Sequence, residues 1–238
     1  MVSETVNACI GPGATKKSPH SCTMIRALIF DFDGLILDTE TALIDAYGDV
    51  HQAHGVAFDR PLFARSVGHA DYAFDPWRAF GPGADREKLE AERRAFNKAR
   101  NEAQEILPGF LVLVGDARKA GLKVGLASNS GREHVEGHLS RLGLMGHFDY
   151  VACRGDAPSP KPEPDLYRLV LNQFGIRGHE AIAFEDSHTG TLAAKRAGIW
   201  VVAVPNSSTH HHDFGHVHLR APSLADCRLP GLLARFSA

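Results

Sequence analysis

Short apolar runs alternate with longer amphipathic stretches along most of this chain. Ala27-Leu28-Ile29-Phe30 is an unbroken apolar run that ends at Asp31, the pattern of a strand buried on both faces of a parallel sheet. Beyond Pro108-Gly109, residues 110–119 read as a helix closed by Gly121, and residues 122–127 as the next strand. A helix over 132–142 stops at Gly143, a strand follows over 148–152, and a helix over 163–174 stops at Gly175. A strand over 181–184, a helix over 189–197 stopped by Gly198 and a strand over 199–204 complete the series. Glycine accepts the left-handed backbone that ends a helix, and successive βα units connect with one hand. The pattern predicts an α/β fold: a Rossmann-like parallel sheet core with helices on both faces.

The stretch from Glu40 to Pro108 breaks the rhythm, with helical patterns and no convincing strand. Leu89, Arg93, Phe96, Ala99, Ala103 and Leu107 recur three or four residues apart, which predicts that they share one face of a long helix. Glu90 and Arg94 are placed to support that helix as an i,i+4 pair. Gly81-Pro82-Gly83 reads as a turn. Residues 41–108 are therefore expected to form an all-helical cap domain inserted into a core built from residues 24–40 and 109–238. Residues 1–23 are rich in Gly, Pro, Ser, Thr and Lys and lack apolar periodicity. They predict a flexible tail, with Met24 as a second possible start. The apolar segment of a secretory signal is missing from it.

Composition narrows the partners. Lys plus Arg is 26 and Asp plus Glu is 28, a formal charge of −2, which gives no electrostatic footprint for nucleic acid or an anionic membrane. No apolar run approaches the roughly 18–20 residues of a membrane span. Cys9, Cys22, Cys153 and Cys227 form no CxxC pair, so neither a disulfide scaffold nor a zinc motif is indicated. A cytoplasmic monomer acting on a small molecule is the expectation.

The candidate chemistry sits at the predicted strand ends, where ligands bind in parallel sheets. Asp31-Phe32-Asp33-Gly34 places two carboxylates just past the first strand. Acids so close repel, and a divalent cation relieves the repulsion. Ser128-Asn129-Ser130-Gly131 offers hydroxyls, an amide and a free helix N-terminus to a phosphate. Lys161, held between Pro160 and Pro162, can neutralise a phosphoryl oxygen as a point charge. Glu185-Asp186-Ser187 again puts acids beyond an apolar strand, where they could equally cap the following helix.

In their order and placement these stretches resemble the four motifs of the haloacid dehalogenase superfamily of aspartate-nucleophile hydrolases, from about Met24 to Leu229. Phe184-Glu185-Asp186-Ser187 followed by Gly190 and Ala193-Ala194, with a cap between the first and second motifs, resembles the β-phosphoglucomutase-like branch. The resemblance implies that Asp31 attacks phosphorus and that Asp33 acts as general acid and base. It implies Mg2+ held by Asp31, Asp186 and the main-chain carbonyl of Asp33, with Glu185 contributing directly or through water. Ser128, the Asn129 N–H and Lys161 would bind the phosphoryl oxygens.

Dehalogenases of the superfamily lack the second acid of the first motif, so Asp33 favours phosphoryl transfer. Mutases of the branch carry a histidine where Leu43 stands and a cap arginine where Asp71 stands. The expected function is a Mg-dependent phosphatase on a small phosphorylated metabolite, a sugar phosphate or a nucleotide-like monoester. A phosphomutase and a non-catalytic binding protein are the alternatives. The cap is expected to close as a lid, with Arg65, Gly68, His69 and Tyr72 meeting the substrate beyond its phosphate. His210, His211, His212, His216 and His218 read as a solvated loop rather than a metal site.

Overall fold

The computed structural model describes residues 24–64 and 74–237. The tail and the cap residues Arg65, Gly68, His69 and Tyr72 lie outside them. Six parallel strands form one sheet in the order β3-β2-β1-β4-β5-β6. They are β1 Ala27–Phe30, β2 Lys123–Gly131, β3 Tyr150–Arg154, β4 Ala181–Glu185, β5 Trp200–Ala203 and the short β6 Leu219–Arg220.

The pleat of β1 explains why both faces are covered. Leu28 and Phe30 point into a core with Phe110, Leu113, Val135, Leu139 and Phe236. These come from α4 Phe110–Lys119, α5 Arg132–Arg141 and α8 Leu229–Phe236. Ala27 and Ile29 point the other way, against Tyr167, Val170 and Ala193 of α6 Asp165–Phe174 and α7 His188–Arg196. A strand buried on both sides has no use for alternation, hence the continuous apolar run.

Several boundaries differ from the sequence expectation, the largest being β2, which runs on to Gly131 rather than ending at 127. Strand β3 starts two residues later than residue 148 because the Phe148 N–H is taken by the Met145 carbonyl, closing a 3-10 turn over Met145–His147. Helix α6 starts at Asp165 rather than 163, since Pro164 disfavours helical backbone at Glu163.

Between β1 and α4, where the cap was expected, the described residues form α1 Thr39–Ala53, α2 Arg60–Ala64 and α3 Arg86–Glu102, with a 3-10 turn at Arg78–Phe80. Two small clusters hold this segment, Ile44 with Phe63 and Val50 with Trp77 and Leu89. Its two connections to the core run side by side: the Leu107 N–H donates to the Ile36 carbonyl at 2.8 Å, and the Gln104 amide to the Asp38 carbonyl at 3.0 Å.

The expected apolar face of α3 is corrected here. Leu89 is buried, but Phe96 is 40% exposed, and Ala99 and Ala103 are exposed too. The half-buried positions are Glu90, Glu92, Arg93, Asn97, Arg100 and Asn101. Glu90 pairs with Arg93 at 2.5 Å rather than with Arg94. The helix ends at Glu102, before Leu107, because the chain is drawn off into the connection. Part of α3 faces a polar cavity instead of a core, so the apolar stripe is not the buried one.

Candidate active site

Register brings the motifs to one edge. Phe30 lies level with Leu126 of β2 and Phe184 of β4, so Asp31, the Ser128 loop and Glu185-Asp186 emerge together. Gly34 turns the chain just after Asp33, with φ +76°; a Cβ there would lie 2.5 Å from the Asp186 carboxylate and from the Asn206 amide. Only glycine combines that backbone with that closeness.

Lys161 ties the buried acids together. Its ammonium donates to Asp31 Oδ1 at 2.5 Å and to Glu185 Oε1 at 2.6 Å, and the Tyr167 hydroxyl donates to the same Glu185 oxygen. Burial depresses a lone lysine, but Asp31 and Glu185 outweigh it and hold the Lys161 ammonium well above its usual range. Burial pushes the Asp31 carboxyl up, Glu185 adds to the rise, and Lys161 opposes it. Burial, then Glu40, Asp31 and Glu185, push Asp186 up as well. Asn206 donates from its amide to Asp186 Oδ2 at 2.8 Å and to the Gly34 carbonyl at 3.1 Å.

Asp31, Glu185 and Asp186 each offer an oxygen within 4.8 Å of the others. Three buried carboxylates against one ammonium leave negative charge unbalanced, and Glu185 Oε2 is buried without a hydrogen bond. An oxygen-only set of this kind fits a hard divalent cation of the magnesium class.

Asp33 is arranged differently. Its carboxylate turns away from the acidic group and is fully engaged. Thr39 Oγ1 donates to Oδ1 at 2.6 Å, Ser130 Oγ donates to Oδ2 at 2.5 Å, and His134 Nε2 stands 3.0 Å from Oδ1. Burial raises this carboxyl, but His134, Ser130 and Thr39 more than offset it and keep it below its usual value. The His134 imidazole is raised by the same bond. Only the main-chain carbonyl of Asp33 is left for the cation role expected of it.

Ser128 is buried, and its Oγ accepts from the Ser130 N–H at 2.9 Å. The Asn129 side chain clamps the lysine loop: its Oδ1 accepts from the Lys161 N–H at 2.8 Å and its Nδ2 donates to the Lys161 carbonyl at 3.1 Å. Its main-chain N–H remains the phosphate-facing candidate. Ser187 is the N-cap of α7 and accepts from the Gly190 N–H, so the fourth motif is both an acidic site and a helix cap.

A cavity of about 390 Å3 lies over these groups, between Asp31 and Lys161 on the core side and Leu43, Asn97 and Asn101 on the cap side. Thr39, Ser130, His134, Tyr167 and Asn206 were not singled out as site residues by sequence. Ser130 carried a local signal, standing two residues after Ser128. The histidine cluster uses its rings as tethers: His210 Nδ1 meets the Ser207 carbonyl, and His218 Nδ1 accepts from the Val201 N–H. Among the described residues, the acidic trio is the one group arranged to hold a metal.

The sequence profile described as Haloacid dehalogenase-like hydrolase matches residues 28–204. The chain belongs to this family. Relatives agree along nearly the whole chain. YhcW of Bacillus subtilis, whose name assigns it provisionally as a phosphatase, is 38% identical over 214 residues, 88% of this chain and 97% of its own. Hexitol phosphatase B of Escherichia coli is 32% identical over 186 residues, 76% of this chain and 84% of its own. The crystal structure of CbbY from Rhodobacter sphaeroides with xylulose-(1,5)bisphosphate superposes with a TM-score of 0.68 at 26% identity, covering 88% of this chain and 99% of CbbY. For a haloacid dehalogenase-like hydrolase, the acid-lysine cluster stands at the expected edge of the sheet.

Proposed function

We propose that this hydrolase is a phosphatase of small phosphorylated metabolites, working through an aspartyl-phosphate on Asp31. The observation that carries the reading is the buried Asp31–Lys161–Glu185 chain beside Asp186 at the end of the central strand. The phosphatase names of relatives support it.

Asp31 attacks phosphorus as the ester P–O bond breaks, and Asp33, which takes up a proton once it leaves the His134, Ser130 and Thr39 bonds that hold it ionised, gives that proton to the leaving oxygen. Water then attacks the aspartyl-phosphate, Asp33 takes the water proton, and release of inorganic phosphate restores Asp31. Lys161, Ser128 and the Asn129 N–H stabilise the transferring oxygens. Asp33 must leave Thr39 and Ser130 to reach substrate, because its lone pairs are occupied there. Asp31, Asp186 and the Asp33 carbonyl would hold Mg2+, with Glu185 behind them. A bound cation neutralises charge on the phosphoryl group. Leu43 in the cavity wall has no proton to exchange with a sugar hydroxyl, which favours hydrolysis over a mutase.

The test is release of inorganic phosphate from p-nitrophenyl phosphate and from a panel of phosphorylated metabolites. Activity is expected with Mg2+, is lost on chelation and returns with the metal. No release with Mg2+ present would reject a phosphatase, and interconversion of sugar 1- and 6-phosphates would establish a mutase.

A further inference from the structure

Helix α3 presents an unexpected face to the cavity. Its apolar residues Phe96 and Ala99 are turned to solvent, while Asn97 and Asn101 line the cavity opposite Asp31. Four residues apart, they stand on one face and about 6 Å apart along the axis. The Oδ1 of each is buried and has no hydrogen-bond partner among the described residues. An acceptor withdrawn from water and left unpaired is costly, and such an atom in a native site calls for an explanation.

The rest of the cavity narrows what can satisfy these amides. Leu43, Thr39 and Glu40 complete the described cap-side wall. Glu40 is an acid and none of the three is a cation, so this wall suits hydrogen-bond donors rather than a second phosphate. Among the described residues the lining holds one aromatic ring, the His134 imidazole bonded to Asp33, and one guanidinium, Arg154, so a nucleobase finds no phenyl, phenol or indole face to stack on. A hydroxyl both donates and accepts, and so pairs with either end of an amide.

We infer that Asn97 and Asn101 select a polyhydroxylated carbon chain on the substrate, accepting hydrogen bonds from two of its hydroxyls while the core binds its phosphate. This rests on the phosphatase reading and assigns its substrate class, a polyol or sugar monophosphate.

The test compares kcat/KM for glucitol 6-phosphate with that for hexyl phosphate, which has the same carbon count and no hydroxyl. Hydrolysis of p-nitrophenyl phosphate serves as the separate check on phosphatase chemistry. The unmodified protein is expected to prefer the polyol ester by tenfold or more. Asn97→Ala and Asn101→Ala should each lower that ratio about three- to tenfold, as expected for one lost hydrogen bond, and the double variant should bring it to within about twofold of unity. If alanine loosens α3 in a melting experiment, the near-isosteric Asn97→Leu and Asn101→Leu supply the same ratio. Equal activity of the unmodified protein on both esters, or equal proportional losses on both in the variants, overturns the inference while leaving the phosphatase standing. Absence of p-nitrophenyl phosphate hydrolysis removes the phosphatase reading and the inference with it.

Discussion

The two walls of the cavity are built on opposite plans. On the core side the charged groups are all engaged: Lys161 with two carboxylates, Asp33 with three hydroxyls and an imidazole, Asp186 with an amide. On the cap side two amide oxygens have no partner among the described residues, and Phe96 and Ala99 of their helix face outward. The reacting wall is assembled in advance, as electrostatic stabilisation of a transition state requires. On the inference drawn above, the opposite wall is left incomplete so that a substrate supplies the missing bonds.

The largest break in this contrast is expected from Asp31→Asn. The side chain keeps its shape and loses its nucleophile, so phosphate release should fall by at least about a thousandfold. Relief of crowding with Glu185 and Asp186 should leave the fold intact, checked by circular dichroism and thermal melting. Retained turnover would remove Asp31 from the chemistry.

A smaller effect is expected where the core wall is packed tightest. A Cβ on Gly190 would stand 1.9 Å from Glu185 Oε2 and 2.2 Å from its carboxyl carbon. Glu185 cannot swing away, because Lys161 and Tyr167 hold its other oxygen. Gly190→Ala should cost about 2–3 kcal/mol and lower the melting temperature by about 5–10 °C. It should also cut activity through Lys161. An unchanged melting temperature would show that the core wall has slack.

The smallest expected effect lies at the opposite end of the sheet. Burial raises Asp149, but the Val124 N–H and then the Arg118 guanidinium more than offset it, so its carboxyl lies below the usual value of 3.8. A lowered folded value contributes stability above the unfolded pKa, and that contribution disappears as pH falls through the folded one. Asp149→Asn should therefore cost about 1 kcal/mol at pH 7. The gap between the two proteins in denaturant melts should close as the pH is taken below about 3.8. A gap that persists in acid would assign the cost to packing rather than charge.

The core was legible because its signals are local. An apolar run ending in an acid, or a glycine ending a helix, is read within a few residues; Asp31 and Asp186 lie just past strand ends, Ser128 in the last residues of β2, and Lys161 in the loop after β3. What was missed is assembled across the chain. His134 reaches Asp33 from 101 residues away, and Asn206 reaches Asp186 from 20. The cap helix misled for another reason. Periodicity identifies an apolar stripe but does not say which stripe is buried, and a helix bordering a polar cavity turns its amides inward. The mask of apolar positions on α3 was correct as a pattern and wrong as a direction.

The position of β1 also sets a timetable. It is the first strand made and lies in the middle of the sheet, yet its neighbours begin only at Lys123 and Ala181. On a ribosome adding about 5–20 residues per second, Asp31 waits on the order of ten seconds or more for Asp186 to exist. Meanwhile the cap segment, with its own aromatic cluster, is complete and can gather itself. On the proposed function, the nucleophile is thus among the first groups synthesised and among the last to be armed, which would keep an unfinished chain from acting on phosphate esters during its own synthesis.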